Sequence, residues 1–397
     1  MNLLHIPMGF LLYGVHMFMS VLIAIPLYLL TKEYFGRCAG AVAIAFFTIS
    51  YVQVFASEFY LYKAVMGAVF MLYAFLYFAR KSYWFYLFAG LLALTQLPQL
   101  VILIFGVLVA SVFGWKKNLK FNVIGLGIMA LALVFIFVFA PQQLVNGWDI
   151  FMARFAGKVS FDAHQSGLFM PFKEFVTKEF PIVILGLLGV ILSLRKREVL
   201  PLLSALVFVS IVVIGKIFFE NRFVMEMELL LIPFASFGLV RIFDRILVKR
   251  YVQIIFSILL IGLSVFFTNH YVSTTYSALT RNEITAMEIL KKQREISHVF
   301  VTNTIYAPWV YGFSGKEVLA PGIFNSVWGF DEFVAYQKAP RVEKLQKLLD
   351  IARKHGAYYY YVGERQADEN LKAASPFIVE ILQLGGAKLY KVTSPGS

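Results

Sequence analysis

Apolar residues fill long runs of this chain, and short basic clusters punctuate them. Ten runs, near 7–31, 38–55, 63–79, 83–97, 99–115, 121–140, 181–194, 200–218, 224–241 and 251–269, have lengths suited to crossing a bilayer as helices. Between the fourth and fifth lies "TQLPQ", where Pro98 disrupts a continuous helix, so that pair also reads as a single kinked element. Past residue 269 the runs give way to mixed, charged sequence. The pattern therefore predicts a membrane all-α helical bundle of about 10 spans over 1–269, followed by a separate tail at 270–397.

Short alternating segments in the tail predict a small α/β layer. "HVFVTN" (298–303), "KEVLAPG" (316–322), "AYYYYVG" (357–363) and "AKLYKV" (387–392) read as strands, the last following "FIVEILQLGG". "APWVYGFSG" (307–315) reads as a short helix with Pro308 in its first turn and glycine at its end. "RVEKLQKLLDIARKHG" (341–356) reads as an amphipathic helix with Val342, Leu345, Leu348, Leu349 and Ile351 on one side and Gly356 as cap. No glycine-rich phosphate loop follows any of these strands.

Composition supports the membrane reading: 60% of the 397 residues are hydrophobic and 15% charged, with mean hydropathy +0.74. A soluble domain is nearer half apolar and a quarter charged. The single cysteine, Cys38, excludes an intrachain disulfide. The first run lacks a basic lead and is long enough to span, so no cleaved leader is expected.

Charge then orients the bundle. The connections near 32–37, 80–82, 116–120, 195–198 and 241–250 hold 14 Lys/Arg and three acids, a net +11 out of +13 for the chain. The alternate connections, 56–63, 141–180 and 216–228, sum to −1. The positive-inside rule places the basic set in the cytoplasm, and with it the start of the chain and the tail outside. The excess positive charge is a topology signal, so no nucleic-acid partner is expected. The long connection 141–181 is amphipathic and aromatic, suited to lying at the interface of the cell membrane.

Several stretches carry a family likeness. "LIAIPLYLLTKEYFGRCAGAVAIAFFTIS", "FAGLLALTQLPQLVILIF" and "ENRFVMEMELLLIPFASFGL", with "KHGAYYYYVG" and "GGAKLYKV" in the tail, occur in an order that resembles the GT-C membrane glycosyltransferases. That group includes protein mannosyltransferases, the lipid A aminoarabinose transferase and oligosaccharyltransferases. The resemblance covers most of residues 10–397. It implies transfer of a sugar from a polyprenyl-phosphate carrier to an extracytoplasmic lipid, glycan or protein acceptor, with a small exocytoplasmic domain closing the chain. Members carry a catalytic acid in a first external loop, between spans that precede the segment matching residues 7–37. No such loop is found in this sequence, so the resemblance leads one to expect it ahead of Met1 or on a partner, or the chain to be a non-catalytic relative. In "SEFYLYKAV" Glu58 comes early and Lys63 stands where many members place an acid, and Gln96 replaces the lysine of the break motif. The catalytic acid therefore carries over to no residue.

Candidate chemistry clusters on the weakly charged side. Arg222 can fork two hydrogen bonds to a lipid phosphate, with Lys216 adding a point charge; the plainer alternative is pairing of Arg222 with Glu220 or Glu226. Glu226 and Glu228 lie deeper and are expected to pair with other helices. Glu58 is a candidate general base or metal ligand, and Lys63 a candidate donor contact; a loop ion pair is the alternative. Asp149, Asp162 and His164 are candidate ligands for a divalent ion, Mg or Mn, although such spacing is common by chance. Arg154, Lys158 and Lys173 suit phosphates of carrier or headgroup. Tyr358–Tyr361 read as a packed strand rather than a sugar platform, and Trp309 and Trp328 suit either a core or a sugar ring. Two other function classes stay open: a transporter or lipid flippase, and a non-catalytic scaffold subunit.

Overall fold

The computed structural model describes residues 15–58, 62–139, 170–217, 223–246, 258–259, 262, 266, 279–302, 306–319, 335–336, 339–364, 371 and 375–394. The chain forms two compact units, Met1–Tyr276 and Ser277–Ser397.

The first unit is helical. Its helices are α1 (His16–Leu22), α2 (Ala24–Phe35), α3 (Arg37–Ile49), α4 (Tyr51–Glu58), α5 (Tyr62–Ala79), α6 (Trp84–Thr95) and α7 (Leu97–Phe139), then α8 (Phe172–Lys178), α9 (Phe180–Ser193), α10 (Leu200–Ile214) and α11 (Val224–Ile246). Among the described residues, Phe18–Phe35 and Arg197–Ile214 are long and apolar enough to cross a membrane. Helices α8 and α9 pass the same test together but meet at a 91° bend. Shorter apolar helices cover Arg37–Ile49, Ala64–Ala79, Trp84–Thr95, Leu97–Phe113 and Lys120–Phe135. The expected run 251–269 lies mostly outside the described residues.

Among the expected runs, one break is new, one holds as expected and one expected connection is missing. The run 38–55 breaks at Ser50, whose ψ of 121° is extended. Its hydroxyl then accepts the Gln53 N–H at 3.0 Å and restarts the helix as α4, because a serine side chain satisfies an otherwise orphaned first-turn donor. The break at "TQLP" is real, with Gln96 extended between α6 and α7. The connection expected at 116–120 is instead helical, within the 43 residues of α7. Phe75 of α5 lies against Gly106 in the first half of α7, and Phe78 packs against Phe121 in its second, with ring centres 5.9 Å apart.

Helix α11 is the axis of the bundle. Residues 223–239 are buried on every side. It touches α9 through glycines: a Cβ on Gly189 would stand 1.8 Å from the Phe234 carbonyl oxygen, and one on Gly238 would stand 2.4 Å from that of Leu185. Close backbone approach replaces the hydrophobic driving force that lipid removes.

The second unit contains α12 (Arg281–Lys292), β1 (His298–Val301), α13 (Ala307–Ser314), β2 (Glu317–Val318), α14 (Arg341–His355), β3 (Tyr358–Val362), β4 (Ile378–Leu384) and β5 (Ala387–Val392). The strands form one sheet in the order β2-β1-β3-β5-β4. Strand β1 runs parallel to β2 and β3, and β5 is antiparallel to β3 and β4. Tyr358–Tyr361 are all buried, so the four-tyrosine run is core and not a sugar platform. Trp309 packs against that core, while Trp328 lies outside the described residues.

Two details depart from expectation. Val342 is 80% exposed, because the buried stripe of α14 centres on Leu348 and Ala352 and Val342 falls about 100° away around the helix. Strand β4 was not announced by pattern: it is an edge strand with a register shift between Glu380 and Leu382, and its Val379 and Ile381 are exposed.

Candidate functional site

Three buried carboxyl side chains gather where α4, α7, α9 and α11 begin. Glu226 and Glu228 are 4% and 0% exposed in the first turns of α11. Two positions apart on a helix means opposite faces, so they serve different partners. Glu228 faces the α3–α4 break. Ser50 Oγ lies 2.8 and 2.7 Å from its two oxygens, and Gln53 Nε2 donates at 2.8 Å. Glu226 faces α7, where Gln99 Nε2 donates at 2.7 Å. The same amide group reaches the Ala64 carbonyl of α5 at 2.9 Å. Gly67 makes that approach feasible, since a Cβ there would stand 2.1 Å from Gln99 Oε1.

Glu179 completes the group from the bend between α8 and α9. Its Oε1 accepts the backbone N–H groups of Tyr51 at 2.5 Å and Val52 at 3.4 Å. It therefore caps α4 from another part of the chain, where orphaned donors and the helix dipole favour a carboxylate. The preceding residue, Lys178, places its ammonium 3.6 Å from the centre of the Tyr51 ring and pairs with Glu174 at 2.7 Å. Two carboxyl groups thus bear on one helix start, Glu179 directly and Glu228 through Ser50. Among the described residues neither forms an ion pair with a basic side chain.

This arrangement joins the flanks of the three weakly charged connections, 56–63, 141–180 and 216–228, at one end of the bundle. Ionisable groups inside a membrane bundle are costly and mark function when they are retained. The expected pairing of Glu226 and Glu228 with other helices is what the structure shows. Of the other candidates, Glu58 ends α4 and Lys63 is the second residue of α5; their side chains are outside the described set. Lys216 is exposed in a left-handed turn with φ 51°, after α10. Lys173 is exposed on α8. Arg222, Asp149, Arg154, Lys158, Asp162 and His164 lie outside the described residues.

Sequence reasoning missed Ser50, Gln53, Gln99 and Glu179. Glu179 closes the charged stretch "KEFVTKE" just ahead of an apolar run, and nothing in that local pattern marks it as buried. Among the described residues no group of three or more His, Cys, Asp or Glu side chains fits a metal ion.

A many-helix bundle with buried carboxyl groups at one end and a small α/β unit after it is a membrane protein of polytopic type. Comparison with solved structures identifies that fold. The chain is similar to ArnT from Cupriavidus metallidurans bound to undecaprenyl phosphate, with TM-score 0.60, 12% identity, 96% of this chain and 85% of that one. The apo state of ArnT matches with TM-score 0.59 over the same shares. It is also similar to the archaeal oligosaccharyltransferase AglB from Archaeoglobus fulgidus in complex with an inhibitory peptide and a dolichol-phosphate, with TM-score 0.55, 13% identity and 97% of this chain. This chain spans 63% of the archaeal enzyme's length. No family profile matches, and no curated protein matches in sequence. At such identity the likeness shows the fold, and the fold is that of the GT-C membrane glycosyltransferases, as the sequence motifs led us to expect.

Proposed function

We propose that the chain is a membrane glycosyltransferase of the GT-C type that takes a sugar from a polyprenyl-phosphate carrier. The observation that carries this reading is the meeting of Glu179, Glu226 and Glu228 with the flanks of the weakly charged connections, in a bundle of that fold. The ArnT structure holds undecaprenyl phosphate and the AglB structure a dolichol-phosphate, which supports a lipid-phosphate donor here. On this reading the bundle has about ten spans, and its weakly charged end and the α/β unit face outside the cytoplasm.

The donor phosphate would meet Arg222 and Lys63, with Lys216, six residues before Arg222, and Arg154 and Lys158 of the 141–181 connection as further phosphate contacts. Glu58 is the candidate base toward an acceptor hydroxyl. The acceptor oxygen would bond to the sugar's anomeric carbon as the carbon–phosphate-oxygen bond breaks, the lipid phosphate leaving and the acceptor's proton passing to Glu58. Another AglB structure is a complex with Zn and sulfate. Asp149, Asp162 and His164 would be the ligands of a divalent ion, Mg or Mn, which would supply charge stabilisation for the leaving phosphate.

The test is transfer in reconstituted vesicles from a radiolabelled polyprenyl-phosphate sugar to a membrane extract of acceptors. Arg222→Ala and Lys63→Ala are each expected to lower transfer about 10²-fold or more, the scale for losing a charge-stabilising contact. Unchanged transfer in both variants would refute the donor site. Absence of transfer by the intact chain, with uptake of the lipid across vesicles instead, would favour a flippase. Copurification with a complete transferase would favour the scaffold role.

A further inference from the structure

The opposite, basic end of the bundle carries an arrangement that this reading does not use. Phe35, at the end of α2, stacks on Phe237 of α11 with ring centres 4.6 Å apart and 21° between planes. Two cations are held on this aromatic pair. The Lys196 ammonium, in the turn after α9, lies 4.6 Å from the Phe237 ring centre and 5.3 Å from that of Phe35. The Arg241 guanidinium carbon, one turn along α11, lies 5.2 Å from the Phe237 ring centre. The two charges are therefore within about 10 Å of each other, no more than a Debye length at ordinary salt.

Their neighbours neutralise them only in part. Among the described residues Lys196 forms no ion pair. Arg241 approaches Asp244 at 3.9 Å, too long for a hydrogen bond, and its side chain is half exposed. The nearby carboxylate of Glu33 is taken by Arg80 at 2.8 Å. Cation–π contact fixes both side chains in place without using their N–H donors. Two ordered cations with unspent donors, at the membrane-surface end of a bundle, repel each other until an anion sits between them. An ammonium and a planar guanidinium together match the phosphate of a lipid headgroup. Leading up to Lys196, Leu187 and Ile191 of α9 and Leu194 just after it are exposed, an apolar surface of the kind acyl chains cover.

We propose that Lys196 and Arg241, braced on Phe35 and Phe237, form a binding site for the phosphate of an anionic phospholipid of the cytoplasmic leaflet. The positive-inside rule puts this end at that leaflet, whose surface is anionic. The site is separate from the carboxyl cluster and stands whether or not the chain transfers sugar.

The test uses the full chain, purified in mild detergent and stripped of lipid. Retained lipid is counted by native mass spectrometry after addition of phosphatidylglycerol or phosphatidylcholine. Phosphatidylglycerol is expected to bind roughly thirty-fold more tightly than phosphatidylcholine at low salt, from two cations near the surface. The preference should fall in Lys196→Gln, nearly vanish in the Lys196→Gln/Arg241→Gln double variant, and persist in Lys196→Arg, which keeps the charge. Lys347→Gln, in the α/β unit, should leave it unchanged. Equal retention of the two lipids would overturn the proposal, as would a preference that survives the double variant. Displacement of phosphatidylglycerol by millimolar inorganic phosphate would also overturn it, by showing a site for a free anion. If the double variant does not fold, the contrast between Lys196→Gln and Lys196→Arg decides alone.

Discussion

Ser50→Ala tests the central bonding of the carboxyl cluster. The Ser50 hydroxyl has two duties in the structure. It donates to the fully buried Glu228 carboxyl at 2.7–2.8 Å, and it accepts the Gln53 N–H at 3.0 Å to start α4. Losing the first leaves a buried polar group short of a partner, a cost of about 1–3 kcal/mol. Losing the second removes a helix cap, about 1 kcal/mol. The sum is about 3 kcal/mol, which for a unit of this size lowers the unfolding midpoint by about 6–12 °C. The shared bond has a sharper signature. Glu228→Gln alone, Ser50→Ala alone and both together make a double-mutant cycle, read by thermal unfolding in detergent with circular dichroism. The two changes should couple by about 1–3 kcal/mol, because each removes part of the same contact. Effects that add within about 0.5 kcal/mol would show that the two side chains do not support each other, and the account of the α3–α4 break would be wrong.

Other expectations follow from single contacts. Gly189→Ala forces a methyl group into the Phe234 carbonyl, so it should cost about 3 kcal/mol or more and lower the yield of folded protein, whereas Gly127→Ala, with open space around it, should be neutral or stabilising by up to about 1 kcal/mol. A wild-type yield for Gly189→Ala would refute the backbone packing of α9 on α11. In the α/β unit, burial raises the phenols of Tyr358 and Tyr361 above the ordinary value of 10.0. Their folded form keeps the proton that the unfolded chain loses first, so this stabilisation is complete below about pH 10 and is lost as pH rises beyond it. Absorbance titration should show a late-ionising class that shrinks by two phenols in Tyr358→Phe/Tyr361→Phe; a class of unchanged size in that variant would contradict the packing.

The family likeness was legible because it rests on order and sidedness, which a sequence displays directly: apolar runs, alternating basic connections and a mixed tail. The strand "AYYYYV" and the helix ending at Gly356, whose φ is 81°, were legible for the same local reason. Helix α12 announced itself less openly, yet its start carries a capping box, Thr280 with Glu283, visible as "TRNE". Edge strand β4 was harder: burial alternates along it, but apolar residues occupy exposed positions such as Val379 and Ile381, so the sequence "IVEILQL" does not alternate.

What the sequence determined alone is therefore the character of each segment: which runs are apolar, which are mixed and charged, and which connections are basic. Hydrophobic period and charge are properties of neighbouring residues, so they survive without coordinates. The tertiary structure decided which polar groups inside the lipid-facing runs satisfy one another. Glu228 finds Ser50 at a separation of 178 residues, and Glu179 caps a helix 128 residues away. Such pairs leave no periodic trace, because a buried carboxyl needs donors from any direction and the chain can bring them from anywhere.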